Sequence, residues 1–412
     1  MVHTSGKELD FIKEAFADNW VVPLGPDVDA FERDLETFVN QRVDSSPLHK
    51  KVAAVNSGTS AVHLALIACG VKPDDEVLVQ SFTFCASSHP VTYLGATPVF
   101  VDSERDSWNM DPELLEEAIK DRILKTGRKP KAIIPVALYG MPYRIDRILE
   151  VANRYDISVI EDAAEGLGSR YRGQVLGTFG QFGVLSFNGN KMITTSSGGA
   201  VICDNEEAKK NLLYFATQAR QSYPYYEHED IGYNYRLSNI CAAIGRGQMT
   251  LLDQHIAHHQ HVQEMYCELF KNVDGVEMHV NPSSDFDSNF WLCTAFLNPA
   301  LQIRNQENAY KQVILRNVGG VSGVTRLSGS PVTSCQPNDN VEALRTILEE
   351  NNVESRPLWK PMHRQPVYRD NPAYVNGVSE GLFKRGICLP SGPWVKDEHV
   401  RYVVDIVKSA IS

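Results

Sequence analysis

The chain has 412 residues, 43% of them hydrophobic and 22% charged, and a net charge of −11 at pH 7. That length exceeds one simple core and predicts a large and a smaller domain. The acidic balance argues against non-specific nucleic-acid binding, which needs basic surface to displace phosphate counterions, and no apolar run reaches the roughly 18 residues that suggest a membrane span.

Read in chain order, MVHTSGKELDFIKEAFADNW carries acids early and has no apolar centre, so it is not expected to be a signal peptide. KVAAV (51–55) reads as a strand and SGTSAVHLALIACG as a turn and helix. DEVLV (75–79) and ATPVFVD (96–102) are further strands. DPELLEEAIKDRILKTG is a capped helix, with Asp111 at the N-cap, Pro112 at the first helical position and Gly127 at the end. KAIIPVAL, ISVIED, FGVLSF and GAVICD complete a set of uniformly apolar strands. Such strands predict a mostly parallel sheet buried on both faces, hence an α/β architecture.

A long helical stretch is predicted from about Ser238 to Phe270. After it come a strand in NFWLCTAFLN, a helix in NVEALRTILEENN and a final helix in DEHVRYVVDIVKSAI. These predict a smaller α+β domain over 251–412, following a large domain over 1–250. Residues 300–340, rich in Gly, Ser, Asn and Pro, read as a long loop or insertion. The eight cysteines form no C-x-x-C pair and sit mostly in apolar runs, which predicts a reducing, cytoplasmic compartment. His255, His258, His259 and His261 cluster in DQHIAHHQH, but no acid or cysteine completes a tight metal site, so no metal is expected.

Ligands of open α/β sheets sit beyond the carboxyl ends of the strands, and three polar groups fall at such ends. In NSGTS (56–60), Gly58 permits close approach, and Thr59 and Ser60 offer hydroxyls at a helix N-terminus. This suits a phosphate, though a plain N-cap turn reads the same way. In VIEDAAEGLGS (159–169), Glu161 and Asp162 follow an apolar strand, where an acid costs desolvation energy unless it meets a cation. A protonated ring nitrogen would serve, and an N-cap acid is the plainer alternative. In GVLSFNGNKMITTSSGGAVI (183–202), Lys191 stands in a small, hydroxylated loop, where an amine can condense with an aldehyde. A phosphate site, an acid for a pyridine nitrogen and a reactive lysine are together what pyridoxal phosphate needs of a protein.

With NWVVPLGPDVDAFE, VNSGTSAVHLAL, FTFCASSHPVTYLGATPVFVD, EDAAEGLGS, SFNGNKMITTSSGGA, YNYRLSNICAAIGRGQ and ESRPLWKPMHRQPVY on one chain, the sequence resembles the DegT/DnrJ/EryC1/StrS family of pyridoxal-phosphate sugar aminotransferases. The resemblance implies the aspartate aminotransferase fold, fold type I. It implies that Lys191 holds the cofactor and moves protons, and that Asp162 pairs with the ring nitrogen and stays ionised. Phe84 would stack on the ring, Thr59, Ser60 and Ser186 would bind the phosphate with Gly58 beside them, and Glu165 would lie near the phenolic oxygen. Asn234 would reach the phosphate of a neighbouring subunit, making a homodimer with shared active sites the minimal unit. His363, Trp359 and Arg236 would line the substrate side. The lysine segment and RPLWKPMHRQPV are similar to those of enzymes that aminate UDP-4-keto-6-deoxy-N-acetylhexosamines with L-glutamate as donor, the bacillosamine-pathway transaminases included. The family commonly has a glutamate where Ser197 stands here, which puts any role for that acid in doubt.

GDP- or dTDP-sugars and amination at C3 are the alternatives within that chemistry. Sugar 3-dehydration is disfavoured, because relatives that perform it carry histidine at the lysine position. A regulatory protein that binds the cofactor without turnover would keep its colour when L-glutamate is added. A nucleotide-cofactor oxidoreductase lacks its glycine signature, since GLGSRYRG is not the dinucleotide fingerprint.

Overall fold

The computed structural model describes residues 2–41, 48–310 and 335–411. Helices α1 (Lys7–Ala17) and α2 (Pro26–Val39) precede strand β1 (Lys51–Val55). The chain then alternates through α3 (Gly58–Ala68), β2 (Glu76–Gln80), α4 (His89–Tyr93), β3 (Thr97–Val101), α5 (Pro112–Thr126), β4 (Ala132–Ile134), α6 (Ile145–Tyr155) and β5 (Ser158–Asp162). A small hairpin, β6 (Arg170–Tyr171) and β7 (Gln174–Val175), leads to β8 (Phe182–Ser186) and β9 (Gly199–Cys203). Helices α7 (Glu206–Ala216), α8 (Asn239–Met249) and α9 (Leu252–Phe270) follow. The remainder comprises β10 (Val276–Met278), β11 (Phe286–Asp287), β12 (Cys293–Leu297), α10 (Asp339–Glu350), β13 (Arg356–Pro357), β14 (Ala373–Tyr374), α11 (Val378–Arg385), β15 (Gly386–Leu389) and α12 (Asp397–Ala410).

The main sheet has the order β1-β9-β8-β5-β4-β2-β3-β14. From β8 to β14 every pairing is parallel, and β9 runs against both its neighbours. This is the mostly parallel sheet of a fold type I enzyme, as expected. Its strands are apolar throughout because side chains alternate between two buried faces. Val77 and Val79 of β2 join Leu64 of α3 and Leu212 of α7 on one face. Leu78 faces Phe31 of α2 and Ile119 of α5 on the other. A third apolar cluster surrounds the sheet β10-β12-β15-β13 and is built from residues after Val262. Helix α9 contributes Leu252 to the first cluster and Val262, Tyr266 and Phe270 to the third.

Helix α5 is capped as read: Asp111 accepts from the N–H groups of Glu113 and Leu114, and Gly127 adopts φ 69°. The helical stretch from Ser238 to Phe270 is two helices, with Thr250 and Leu251 between them. There the Thr250 hydroxyl donates to the Gly247 carbonyl. Two expectations are corrected. The strand expected in KAIIPVAL ends at Ile134, because Pro135 has no N–H for the ladder. The strand in NFWLCTAFLN starts only at Cys293, because Phe290 takes φ 45° in a turn before it. Of the expected 300–340 loop, residues 311–334 lie outside the described residues, and Gln306–Asn308 form a short 3-10 turn.

His279 stacks on Trp108 with centroids 3.7 Å apart, and burial pushes its pKa down to about 4. The folded state therefore disfavours the proton that the unfolded chain takes up below pH 6.5. Stability is lost as pH falls from 6.5 towards 4, by about 1.4 kcal/mol per pH unit for this one group. His279→Gln is expected to flatten the dependence of Tm on pH between 6.5 and 5, measured by thermal melts of both proteins; an unchanged slope would count against it.

Candidate active site

A cavity of about 220 Å³ lies past the carboxyl ends of β1, β5 and β8. Ser57 caps α3 there: its hydroxyl accepts from the Ser60 N–H at 3.1 Å, and the first N–H groups of the helix face the cavity rim. Gly58 is needed for packing as well as for access. A Cβ on it would stand 3.0 Å from the Ser186 Cβ, so glycine lets the Ser186 hydroxyl approach the helix end. Thr59 and Ser186 line the cavity, whereas the Ser60 hydroxyl is tied to Asn56 Oδ1 at 2.5 Å and to Ser57 at 2.7 Å. Ser57, which the sequence reading passed over, takes Ser60's expected place in the lining.

The acids at 161 and 162 separate because β5 alternates its side chains. Glu161 turns away and accepts from the Tyr143 hydroxyl and the N–H groups of Gly177, Phe179 and Gly180, a wholly structural set. Asp162 lines the cavity, accepting from the Ser87 hydroxyl at 2.6 Å and the Ala164 N–H at 3.1 Å. Burial is the largest influence on it and pushes its carboxyl above the usual range, opposed by Ser87, Ala164 and the charge of Lys191. The protein alone thus leaves Asp162 short of a cation.

Lys191 Nζ donates to Glu165 Oε1 at 3.1 Å and lies 4.0 Å over the Trp291 ring. Trp291 in turn donates from Nε1 to the Asn190 carbonyl at 2.6 Å, which pins the lysine loop. Glu165 Oε2 accepts from the Tyr139 N–H at 2.7 Å, and burial pushes its pKa up against the pull of Lys191. Phe84 projects at 54% exposure, 5.5 Å from Trp359 between ring centroids, and both line the cavity. Lys191, Trp291 and Trp359 also border a larger cavity of about 960 Å³. Ser197, where the family's glutamate is missing, donates to the Asn56 carbonyl at 2.9 Å on the cavity edge.

Three other expected residues lie away from this cavity within the chain. His363 is half-buried, with Nδ1 2.6 Å from the Ser81 hydroxyl and Nε2 3.2 Å from Glu380. Arg236 is paired with Glu32 and donates to the Ala54 carbonyl at 2.9 Å. Both hold chain segments together. Asn234 is exposed, and its carbonyl accepts from Asn56 Nδ2 at 3.2 Å. Trp291 was missed because it stands inside an apolar run that reads as strand; no local signal separates it from a core tryptophan. The histidine cluster is spent on structure: His255 Nδ1 meets the Met192 carbonyl at 2.9 Å and His259 Nδ1 the Phe290 carbonyl at 3.1 Å.

The model of the DegT/DnrJ/EryC1/StrS aminotransferase family matches residues 3–320 and 304–408. The chain belongs to that family. It is 40% identical over 98% of its length, and 93% of the relative's, to a putative pyridoxal phosphate-dependent aminotransferase, EpsN, of Bacillus subtilis. It is 33% identical to a GDP-perosamine synthase of Escherichia coli O157:H7, over 99% of this chain and 96% of that one. A solved DegT/DnrJ/EryC1/StrS aminotransferase from Brucella abortus superposes with a TM-score of 0.81 at 26% identity, covering 98% and 95% of the two chains.

As a member of the DegT/DnrJ/EryC1/StrS family, the protein is a sugar aminotransferase that uses pyridoxal phosphate, an amino donor and a keto sugar. The residues fit that cofactor. A buried carboxylate lacking a cation, an amine held at 3.1 Å by a carboxylate, and a helix N-terminus cleared by Gly58 surround one cavity. Gly58→Ala is expected to weaken cofactor affinity about fivefold by displacing Ser186, read by titrating the cofactor-free protein with pyridoxal phosphate; unchanged affinity would show that Ser186 yields freely. No helix among the described residues is long and apolar enough to cross a membrane.

Proposed function

We propose that the protein moves an amino group from L-glutamate to the 4-keto carbon of a UDP-4-keto-6-deoxy-N-acetylhexosamine, for bacterial glycan biosynthesis. The observation that carries the reaction type is Lys191 Nζ, held between Glu165 and the Trp291 ring where the two cavities meet. The preference for a UDP sugar is supported by the wording of the segments around Lys191 and Trp359. A GDP-keto sugar is the second reading, favoured by the 33% identical perosamine synthase and by a second one, from Caulobacter vibrioides, at 31%.

When bound, pyridoxal phosphate supplies an aldehyde that exchanges amines and a ring that accepts the electron pair left by a departing Cα proton. Asp162, fixed by Ser87, would keep the ring nitrogen protonated, and that nitrogen would return the carboxylate to its ionised state. Ser57, Thr59, Ser186 and the N-terminus of α3 would hold the phosphate. Phe84 would cover one ring face. Glu165 would hold the amine of Lys191 and then meet the phenolic oxygen. Lys191 Nζ, once free, would carry the proton between the donor's Cα and the cofactor carbon, and reverse that transfer for the sugar. Trp359 would face the sugar, and the nucleotide would supply remote binding energy for orientation.

Asn234, exposed in one chain, would complete the phosphate site of a second copy, so a homodimer is the proposed active unit, in the cytoplasm. Residues 1–250 and 251–412 are the proposed domains. Incubation of the purified protein with L-glutamate and UDP-, dTDP- and GDP-keto sugars, followed by mass spectrometry, tests the substrate. Amination of the GDP sugar alone would refute the UDP reading.

A further inference from the structure

Tyr139 has no role in the proposed reaction, yet its backbone is left-handed. It is 2% exposed and sits at φ 56°, ψ 17°. A bulky side chain rarely adopts this left-handed region, and such residues persist where their surroundings hold them in place. Gly140 follows at φ 92°, where a Cβ would collide with the Asn289 side chain, so the two residues turn the chain sharply after β4.

The turn aims three groups of Tyr139 in three directions. Its N–H donates to Glu165 Oε2 at 2.7 Å, and the other oxygen of that carboxylate holds Lys191 Nζ. Its hydroxyl oxygen accepts from the Trp359 N–H at 2.8 Å. Its hydroxyl also meets the Cys388 thiol of β15. Its ring lies 5.1 Å from that of Trp359 at 56°, and 6.3 Å from Phe82. One residue therefore joins the amine's carboxylate to a tryptophan 220 positions further along the chain.

We infer that Tyr139 is a positioning residue that sets Trp359 against the keto sugar through its hydroxyl, while its peptide N–H independently fixes Glu165 beside Lys191. The substrate side of this inference rests on the function proposed above. The two contacts belong to different atoms, so they can be separated. Tyr139→Phe keeps the ring, the turn and the N–H to Glu165, and leaves the part-buried Trp359 N–H without its acceptor.

Two measurements on the cofactor-loaded protein test this. Hydrogen exchange needs no substrate: in Tyr139→Phe the Trp359 amide is expected to exchange about tenfold faster, with the amides of β5 unchanged. Unchanged exchange at Trp359 would overturn the inference whatever the substrate is. Single-turnover kinetics then divide the reaction. Bleaching of the visible band by L-glutamate is expected to keep its rate, while the KM for the accepted keto sugar rises about tenfold. Trp359→Phe is expected to raise the same KM, with the double variant showing less than the product of the two effects. Equal slowing of both half-reactions, or multiplicative effects in the double variant, would reduce Tyr139 to general packing. If no keto sugar is accepted by the parent protein, the proposed function fails while the exchange result still decides the link to Trp359.

Discussion

Lys191→Ala is expected to abolish amino transfer, lowering kcat by roughly 10⁴-fold or more, because the only amine among the described residues at the junction of the two cavities disappears from the lining. The fold should survive. The side chain rests on Glu165 and Trp291, so its loss removes a cation without taking an apolar group from the core. Glu165, already pushed towards its neutral form by burial, then loses the charge that opposes that push and should shift further in the same direction. Borohydride reduction of the parent protein followed by peptide mapping should tag Lys191; in the variant it should tag nothing. Retained turnover in the variant, or a tag elsewhere in the parent, would reject the role given to this lysine.

Asp162→Asn should be nearly as damaging to turnover, with the opposite effect on the cofactor-free protein. An amide of the same shape cannot hold a proton on the ring nitrogen, and a lost preorganised charge of this kind costs about 10³-fold in kcat. The carboxylate is buried among weak donors, and its desolvation is the largest influence upon it. Removing that charge should leave the Tm of the cofactor-free protein unchanged or higher. Lys191 should still be tagged by borohydride. A variant that unfolds, or that keeps full activity, would show that Asp162 serves the architecture rather than the cofactor.

The main sheet was legible because its strands are apolar on both faces, and apart from β4, cut short at Pro135, such runs mark the strands to within a residue or two. The helix cap at Asp111 was legible because its partners lie within a few positions, and the lysine loop because its small hydroxylated residues stand beside Lys191 in the sequence. What could not be read depends on distant contacts. Glu161 and Asp162 are adjacent acids, and only the pleat and the loop at 177–180 decide which one faces the cavity. His363 pairs with Ser81 across 282 positions and Arg236 with Glu32 across 204, so nothing beside either residue marks it as already engaged. The break at Thr250 is hidden because the apolar periodicity continues across it. Tyr139 was invisible for a different reason: its distinction is a backbone angle, which no residue type announces.

The outermost strand of the main sheet has a consequence for biosynthesis. β14 pairs with β3 in parallel, and the carboxylate of Asp102 just beyond β3 accepts the N–H groups of Asn376, Gly377 and Ser379. On the ribosome, therefore, β3 emerges some 270 residues before its partner and must wait with an open hydrogen-bonding edge. The nascent polypeptide is then open to pairing with a second copy of itself, and it acquires a closed flank only once β14 has been made.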